Sequence, residues 1–254
     1  MNIVIDLLFP KRCALCEEIL AFGDDGICSE CESELMYIKE PRCLKCGREI
    51  ESETEEMCMD CQKYARKYVS GYPLLEYVSP VTDAIAGMKY HGKKNTANYF
   101  GYKIANRYKD IFQRIGIDVL IPVPVSDRKM KKRGYNQAEI IADAISDETG
   151  IKVCTHLLKR RSDTMPLKTL GPQEREKILS KAFSCDFGKI RKLKKTKNGF
   201  EHIKYDIRQI PEKVMLVDDI YTTGATIEAC TCALMEVGVK KVYYTSVCIG
   251  NGTT

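Results

Sequence analysis

Thirteen residues, Val214-Met-Leu-Val-Asp-Asp-Ile-Tyr-Thr-Thr-Gly-Ala-Thr226, limit the folds open to this chain more than any other segment. Four apolar residues, Val214 to Val217, read as a short buried strand. Two carboxylates, Asp218 and Asp219, follow at its end. Thr222, Thr223, Gly224, Ala225 and Thr226 then make a small-residue turn that opens onto a helix. Such a turn lets backbone N–H groups converge on a phosphate, with the threonine hydroxyls as further donors and the positive end of the helix behind them. A carboxylate pair beside a phosphate cradle suits a sugar phosphate. The carboxylates accept from ribose hydroxyls and the cradle holds the 5′-phosphate. A strand end followed by an ordinary helix N-cap is the plainer reading of the same residues.

Upstream, strand and helix patterns alternate. Residues 69–77 read as extended, and 80–90 as a short helix. Residues 95–115 have helical spacing, with Ala97, Phe100, Ile104, Ala105, Tyr108, Ile111 and Phe112 on one side. Residues 118–122 read as a buried strand, 123–134 as a loop, 135–146 as a helix closed by Gly150, and 153–158 as another strand. A helix over 225–237 and a strand over 242–249 complete the set. This order predicts an α/β fold, a mostly parallel sheet with helices on both faces. In such sheets ligands bind at the carboxyl ends of the strands, where the loops after Pro122 and Asp218 would both lie.

The N-terminal quarter follows a different rule. The chain has 13 cysteines, and eight form four Cys-x-x-Cys pairs: Cys13/Cys16, Cys28/Cys31, Cys43/Cys46 and Cys58/Cys61. Each pair begins 15 residues after the last, an internal repeat. The spacing favours metal over disulfides, and two neighbouring pairs make one four-thiolate zinc site. The repeat argues for Cys13, Cys16, Cys28 and Cys31 as one site and Cys43, Cys46, Cys58 and Cys61 as the other. A crossed pairing is compatible with spacing alone. With thiolate at all four positions, both zincs would be structural. The other five cysteines, Cys154, Cys185, Cys230, Cys232 and Cys248, read as small buried apolar groups.

Charge divides the chain near the same place. Residues 1–66 carry 8 Lys+Arg against 15 Asp+Glu, and the remainder 32 against 20. An acidic cysteine-rich head is poorly suited to nucleic-acid phosphates. It suits a protein contact, docking on its own basic body, or a purely structural cap. In the body, Arg128, Lys129, Lys131, Lys132 and Arg133 crowd the loop after Pro122, where a pyrophosphate would need cations. A solvated charged loop is the alternative. A second basic run lies within 186–213, around the Asn198-Gly199 turn, and reads as a basic hairpin outside the core. Residues 162–176 form a polar segment suited to a mobile cover. The three histidines, His91, His156 and His202, sit in unrelated settings, none beside a Ser or Cys in a pattern suggesting nucleophilic catalysis. No apolar run reaches membrane-spanning length, residues 1–10 lack the features of a signal peptide and read as a short helix, and a cytoplasmic location without membrane insertion is expected.

The 214–226 string resembles the PRPP (phosphoribosyl pyrophosphate) motif of type I phosphoribosyltransferases. Together with Leu8-Phe9-Pro10, the paired cysteines, Lys89-Tyr90-x-Gly92, Pro122-Val-Pro124 and Arg133-Gly-Tyr-Asn-Gln137, it makes nearly the whole chain similar to the ComF family. These are phosphoribosyltransferase-like proteins associated with bacterial competence. The resemblance implies a double zinc-ribbon module over 1–66 and a type I phosphoribosyltransferase-like domain over 67–254 with a basic insertion at 186–213. It implies PRPP as ligand, with Mg2+ bridging pyrophosphate and ribose oxygens. Asp218 and Asp219 would hold the ribose, and Thr222, Thr223, Gly224, Ala225 and Thr226 the 5′-phosphate. Ser126, Arg128 and Arg133 would contact pyrophosphate. It further implies single-stranded DNA and a helicase-like protein as partners. A non-catalytic PRPP or nucleotide sensor, or a DNA-binding scaffold on the same fold, is the rival reading. The polar segment from Met165 to Ile178 departs from the family's usual residues, and the basic insertion is longer than the family's usual link.

Overall fold

The computed structural model describes residues 10–21, 23–161, 182–185, 191–196, 199–204 and 210–250. The cysteine-rich part holds two short helices, α1 (Ser29–Ser33) and α2 (Met59–Lys63). Next come β1 (Gly71–Glu76), α3 (Val81–Tyr90), α4 (Lys94–Ile115), β2 (Val119–Pro122), α5 (Asp127–Arg133), α6 (Gln137–Thr149) and β3 (Lys152–Val153). They are followed by β4 (Leu158–Arg160), β5 (Phe183–Cys185), β6 (Arg191–Thr196), β7 (Gly199–Lys204), β8 (Lys213–Tyr221), α7 (Ala225–Glu236) and β9 (Lys241–Ile249).

Five strands form one sheet in the order β1-β9-β8-β2-β3, with every neighbouring pair parallel. Central β8 reads as an unbroken apolar run because it is covered on both sides. Met215 and Val217 face the core built by Phe100, Ile104 and Phe112 of α4 and Ile141 and Ile145 of α6. Val214 and Leu216 face the opposite core, with Ile227, Cys230 and Leu234 of α7. Gly101 permits the close approach of α4 to α6: a Cβ there would stand 2.6 Å from the Ile141 carbonyl oxygen and the Ala144 methyl.

Four expectations are corrected. The 214 strand does not end at Val217; it runs on to Tyr221 because β9 keeps pairing with it, up to Tyr221↔Ile249. The residues after Pro122 are not all loop. Asp127–Arg133 is helical, with Ser126 as N-cap, Asp127 in the first turn, Lys131, Lys132 and Arg133 in the last, and Gly134 left-handed at φ 77°. The predicted 153–158 strand is split. Only Lys152–Val153 joins the sheet, and Leu158–Arg160 pairs antiparallel with β5. Of the five scattered cysteines, Cys154, Cys230 and Cys248 are buried, but Cys185 and Cys232 are only partly so. In the basic stretch, β6 and β7 pair antiparallel, with Thr196 opposite Gly199. The expected N-terminal helix over 1–10 and the polar cover over 162–176 fall, save for Pro10, outside the described residues.

The cysteine-rich part straddles β1, the edge strand. Its residues 36–38 run antiparallel along the open side of β1: the Ile38 amide donates to the Leu74 carbonyl at 3.1 Å and the Glu76 amide to Met36 at 2.9 Å. Cys13 and Cys31 join the α4/α6 core, while Cys43, Cys46 and Cys61 join the α7 core. Among the described residues, no helix is long and apolar enough to cross a membrane.

Candidate functional site

The eight paired cysteines gather into two groups, Cys13, Cys16, Cys28, Cys31 and Cys43, Cys46, Cys58, Cys61, with the sulfurs of each group within 4.8 Å of one another. Four thiolates around a zinc at about 2.3 Å stand roughly 3.8 Å apart. The Cys16–Cys28 and Cys46–Cys58 sulfur separations, 3.7 and 3.6 Å, match that tetrahedron. Backbone amides also point at the sulfurs: Leu15 and Cys28 donate to Cys13, and Cys46 donates to Cys43. Both groups fit zinc and leave no ligand position for water.

The second candidate site opens where β2 stops. Its last pair with β8 is Pro122↔Val217, so from Asp218 onward one side of β8 is bare while β9 still holds the other. The gap is a cavity of about 210 Å³, lined among others by Lys89, Lys129, Arg133, Arg160, Asp218, Asp219, Thr222 and Thr226. Asp219 lies on the α3 side, and Lys89, at the end of α3, meets its carboxylate at 2.9 Å. Burial opposes the Lys89 charge, but Asp219, with Asp218 behind it, more than offsets this and raises the lysine's pKa. Lys129 is shifted the other way, lowered by partial burial and by the neighbouring Arg160 and Arg133 cations.

Asp218 is a strained acid. Burial and then the Asp219 charge push its carboxyl up to about 7, although the Asp219 amide donates to it at 2.9 Å. In the unfolded chain it reverts to its ordinary value of 3.8. Between those values the folded protein holds a proton that the unfolded chain has released, so stability falls as pH rises through the window and stays low above it. Asp218→Asn removes the effect. At pH 8 the variant is expected to gain on the order of 2 kcal/mol, discounted for water reaching the half-buried group, and to gain little at pH 4. Denaturant titrations at both pH values check this, and an equal change at the two would refute it.

The turn before α7 is built to leave its helix end open. Gly224 is the N-cap, left-handed at φ 77°, and no side chain caps the first turn. The N-cap is thus the glycine of the turn rather than one of its threonines, which is itself an ordinary choice for a helix start. A Cβ on Gly224 would stand 2.2 Å from the Tyr221 hydroxyl. Gly224→Ala is accordingly expected to displace the turn and abolish anion binding at it, which calorimetric titration with a 5′-phosphate reads directly. The Thr223 carbonyl is held from behind by Arg66 at 2.8 Å.

Of the residues singled out from sequence, Asp218, Asp219, Thr222, Thr226 and Arg133 meet in the cavity. Thr223, Gly224 and Ala225 form the turn itself. Ser126 is 97% buried and caps α5, accepting from the Lys129 amide, and Arg128 lies on α5; neither is among the lining residues. Lys89, Arg160, Asn136 and Gln137 line the cavity without having been singled out for it. Asn136 caps α6 and donates to the Val123 carbonyl at 3.0 Å, and Gln137 donates to Met88 at 3.2 Å and accepts from Arg133 at 3.1 Å. The readable signal was the string Arg133-Gly-Tyr-Asn-Gln137, which joins the end of α5 to the start of α6.

The parallel sheet, the glycine-capped turn after β8 and the two four-cysteine groups define an α/β protein preceded by a zinc-ribbon-like cysteine-rich part. Residues 4–62 match the family model described as a double zinc ribbon domain. Three curated competence proteins are similar to the chain, in keeping with its resemblance to the ComF family. The chain is 30% identical to Competence protein F of Haemophilus influenzae over 49% of this chain and 47% of that protein. It is 25% identical to Competence protein ComFC of Bacillus subtilis over 64% and 56%, and 32% identical to Competence protein ComFC of Streptococcus pneumoniae over 48% and 44%. The chain thus spans about half the length of the curated relatives it matches. A crystal structure of a purine phosphoribosyltransferase from Pyrococcus horikoshii aligns over 62% of this chain and 87% of its own, at 15% identity and a TM-score of 0.27, too slight a likeness to argue from.

Proposed function

We propose that the protein binds PRPP in the cavity at the end of β8 and transfers its phosphoribosyl group. One observation carries the reading: a carboxylate pair, an uncapped helix N-terminus and four cations converge on a single cavity. The carboxylates of Asp218 and Asp219 accept from the ribose hydroxyls. The amides of the 222–226 turn and the hydroxyls of Thr222 and Thr226 hold the 5′-phosphate. Lys129, Arg133 and Arg160 face the pyrophosphate. In the transfer, the C1–oxygen bond breaks with its electron pair leaving on pyrophosphate, and the acceptor's lone pair closes on C1 as the acceptor loses a proton. Positioning and charge stabilisation carry the catalysis. The Asp218 carboxylate is a hard oxygen donor that would hold a Mg2+ entering with PRPP, and such an ion would help neutralise the leaving group.

The test is calorimetric titration of the zinc-loaded protein with PRPP and Mg2+, with pyrophosphate release assayed in the same samples. Binding with release is expected. Binding without release would replace the transferase by a sensor, and no binding would remove the reading.

A second reading rests on α5. Its Arg128, Lys131 and Lys132 are exposed, and the chain's relatives carry competence in their names. Single-stranded DNA on this face, in a cytoplasmic DNA-uptake role with a helicase-like partner, predicts binding that weakens steeply with salt. Salt-independent or absent binding would count against it.

A further inference from the structure

We propose that the second cysteine cluster, Cys43, Cys46, Cys58 and Cys61, is a positioning element for the phosphate turn, and that the first cluster is not. The inference rests on the ribose-phosphate reading of the cavity and concerns what holds that site in shape.

Three buried tyrosines connect the second cluster to the turn. The Tyr244 hydroxyl donates to the backbone carbonyl of Cys46 at 2.7 Å. Its ring stacks on Tyr221, with centroids 4.8 Å apart and planes 10° from parallel. Tyr68 stands edge-on to both rings, and its hydroxyl meets that of Tyr221 at 2.9 Å. Tyr221 ends β8, and its hydroxyl fills the space that the missing Cβ of Gly224 leaves.

A second path runs along the chain. Five residues past Cys61, Arg66 donates to the Thr223 carbonyl, and the Lys67 amide donates to both oxygens of Glu228 in the first turn of α7, at 2.9 and 3.1 Å. Both paths therefore end on the same few residues, the turn and the helix start behind it. Buried rings in close-packed contact have few alternative arrangements, so a displaced Cys46 carbonyl or Tyr68 must move Tyr221 with it. The first cluster's polar contacts lead elsewhere, to α4: Thr96 donates to the Ala14 carbonyl, and Tyr99 donates to Glu32 at 2.8 Å.

The prediction is a difference between the two clusters. In the full-length chain, held well below its melting temperature, Cys58→Ser and Tyr68→Phe are expected to speed amide hydrogen exchange over residues 222–227 by about tenfold. They are also expected to weaken PRPP binding by about five- to twentyfold. The matched changes at the first cluster, Cys16→Ser and Tyr99→Phe, are expected to leave both within about twofold. Tyr68→Phe keeps the ring and the metal ligands, so it reports on the link even where a cysteine variant fails to fold. Restored exchange and binding would not follow from added zinc in Tyr68→Phe, whereas a simple loss of metal would be reversed. Unchanged exchange in Tyr68→Phe, or equal acceleration in Tyr99→Phe, would overturn the proposal. If the unaltered protein binds no PRPP, the ribose-phosphate reading fails, and the exchange measurements still decide the coupling.

Discussion

Asp219→Asn is expected to weaken PRPP binding by at least about 100-fold while the protein keeps both zinc equivalents. Two losses combine. A ribose hydroxyl exchanges a charged acceptor for a neutral one, and such charge-assisted hydrogen bonds are roughly twice as strong as neutral ones. In addition, the Lys89 ammonium loses the carboxylate 2.9 Å away and stands partly buried among Lys129, Arg133 and Arg160. Lys89 then keeps only Asp218 as a carboxylate counter-charge. Calorimetric titration with PRPP, alongside metal analysis, checks both parts. Retention of affinity in a folded variant would show that Asp219 faces no ligand. Lys89→Met in the same background is expected to recover part of the lost stability but none of the binding.

Removing zinc from both clusters is expected to lower the melting temperature of the whole protein by at least about 10 °C, because a structural zinc site contributes folding free energy directly. The reason lies in where the sulfurs sit. Cys13 and Cys31 are part of the core beneath α4, and Cys43, Cys46 and Cys61 part of the core beneath α7. Loss of metal leaves the cysteine side chains of both clusters without the ion that links them, in two packed interiors, one on each face of the sheet. Calorimetry before and after chelation, with released zinc counted by a colorimetric indicator, is the measurement. An early transition confined to the N-terminal part, followed by an unchanged main one, would show that the clusters fold apart from the sheet.

How far the sequence could be read follows from the reach of each signal. The cysteine repeat and the 214–226 string are local patterns in which residue type and spacing carry the chemistry, and both were legible. The long helix over 94–115 was legible from its apolar stripe and Gly116. Helix α5 was not, because its five cations masked the Ser126 and Gly134 end signals that bound it. The end of β8 was misplaced for another reason. Polar Asp218 and Asp219 look like the close of a strand, yet β9 holds them in the ladder, and pairing between residues nearly 30 positions apart leaves no local trace. Lys89 in the cavity was hidden in the same way: only the docking of α3 on the sheet brings it to Asp219.

The antiparallel contact of residues 36–38 along β1 also has a bearing on solubility. An open sheet edge offers unpaired amides and carbonyls to any other chain, and proteins avoid exposing one. Here the edge beside Leu74 and Leu75 is closed by the chain's own metal-binding part. A chain beginning at Lys67 would keep every cavity residue and still present that edge bare. Self-association through strand pairing is a failure that such a truncation invites, in addition to losing the contacts that Arg66 and Cys46 make toward the phosphate turn.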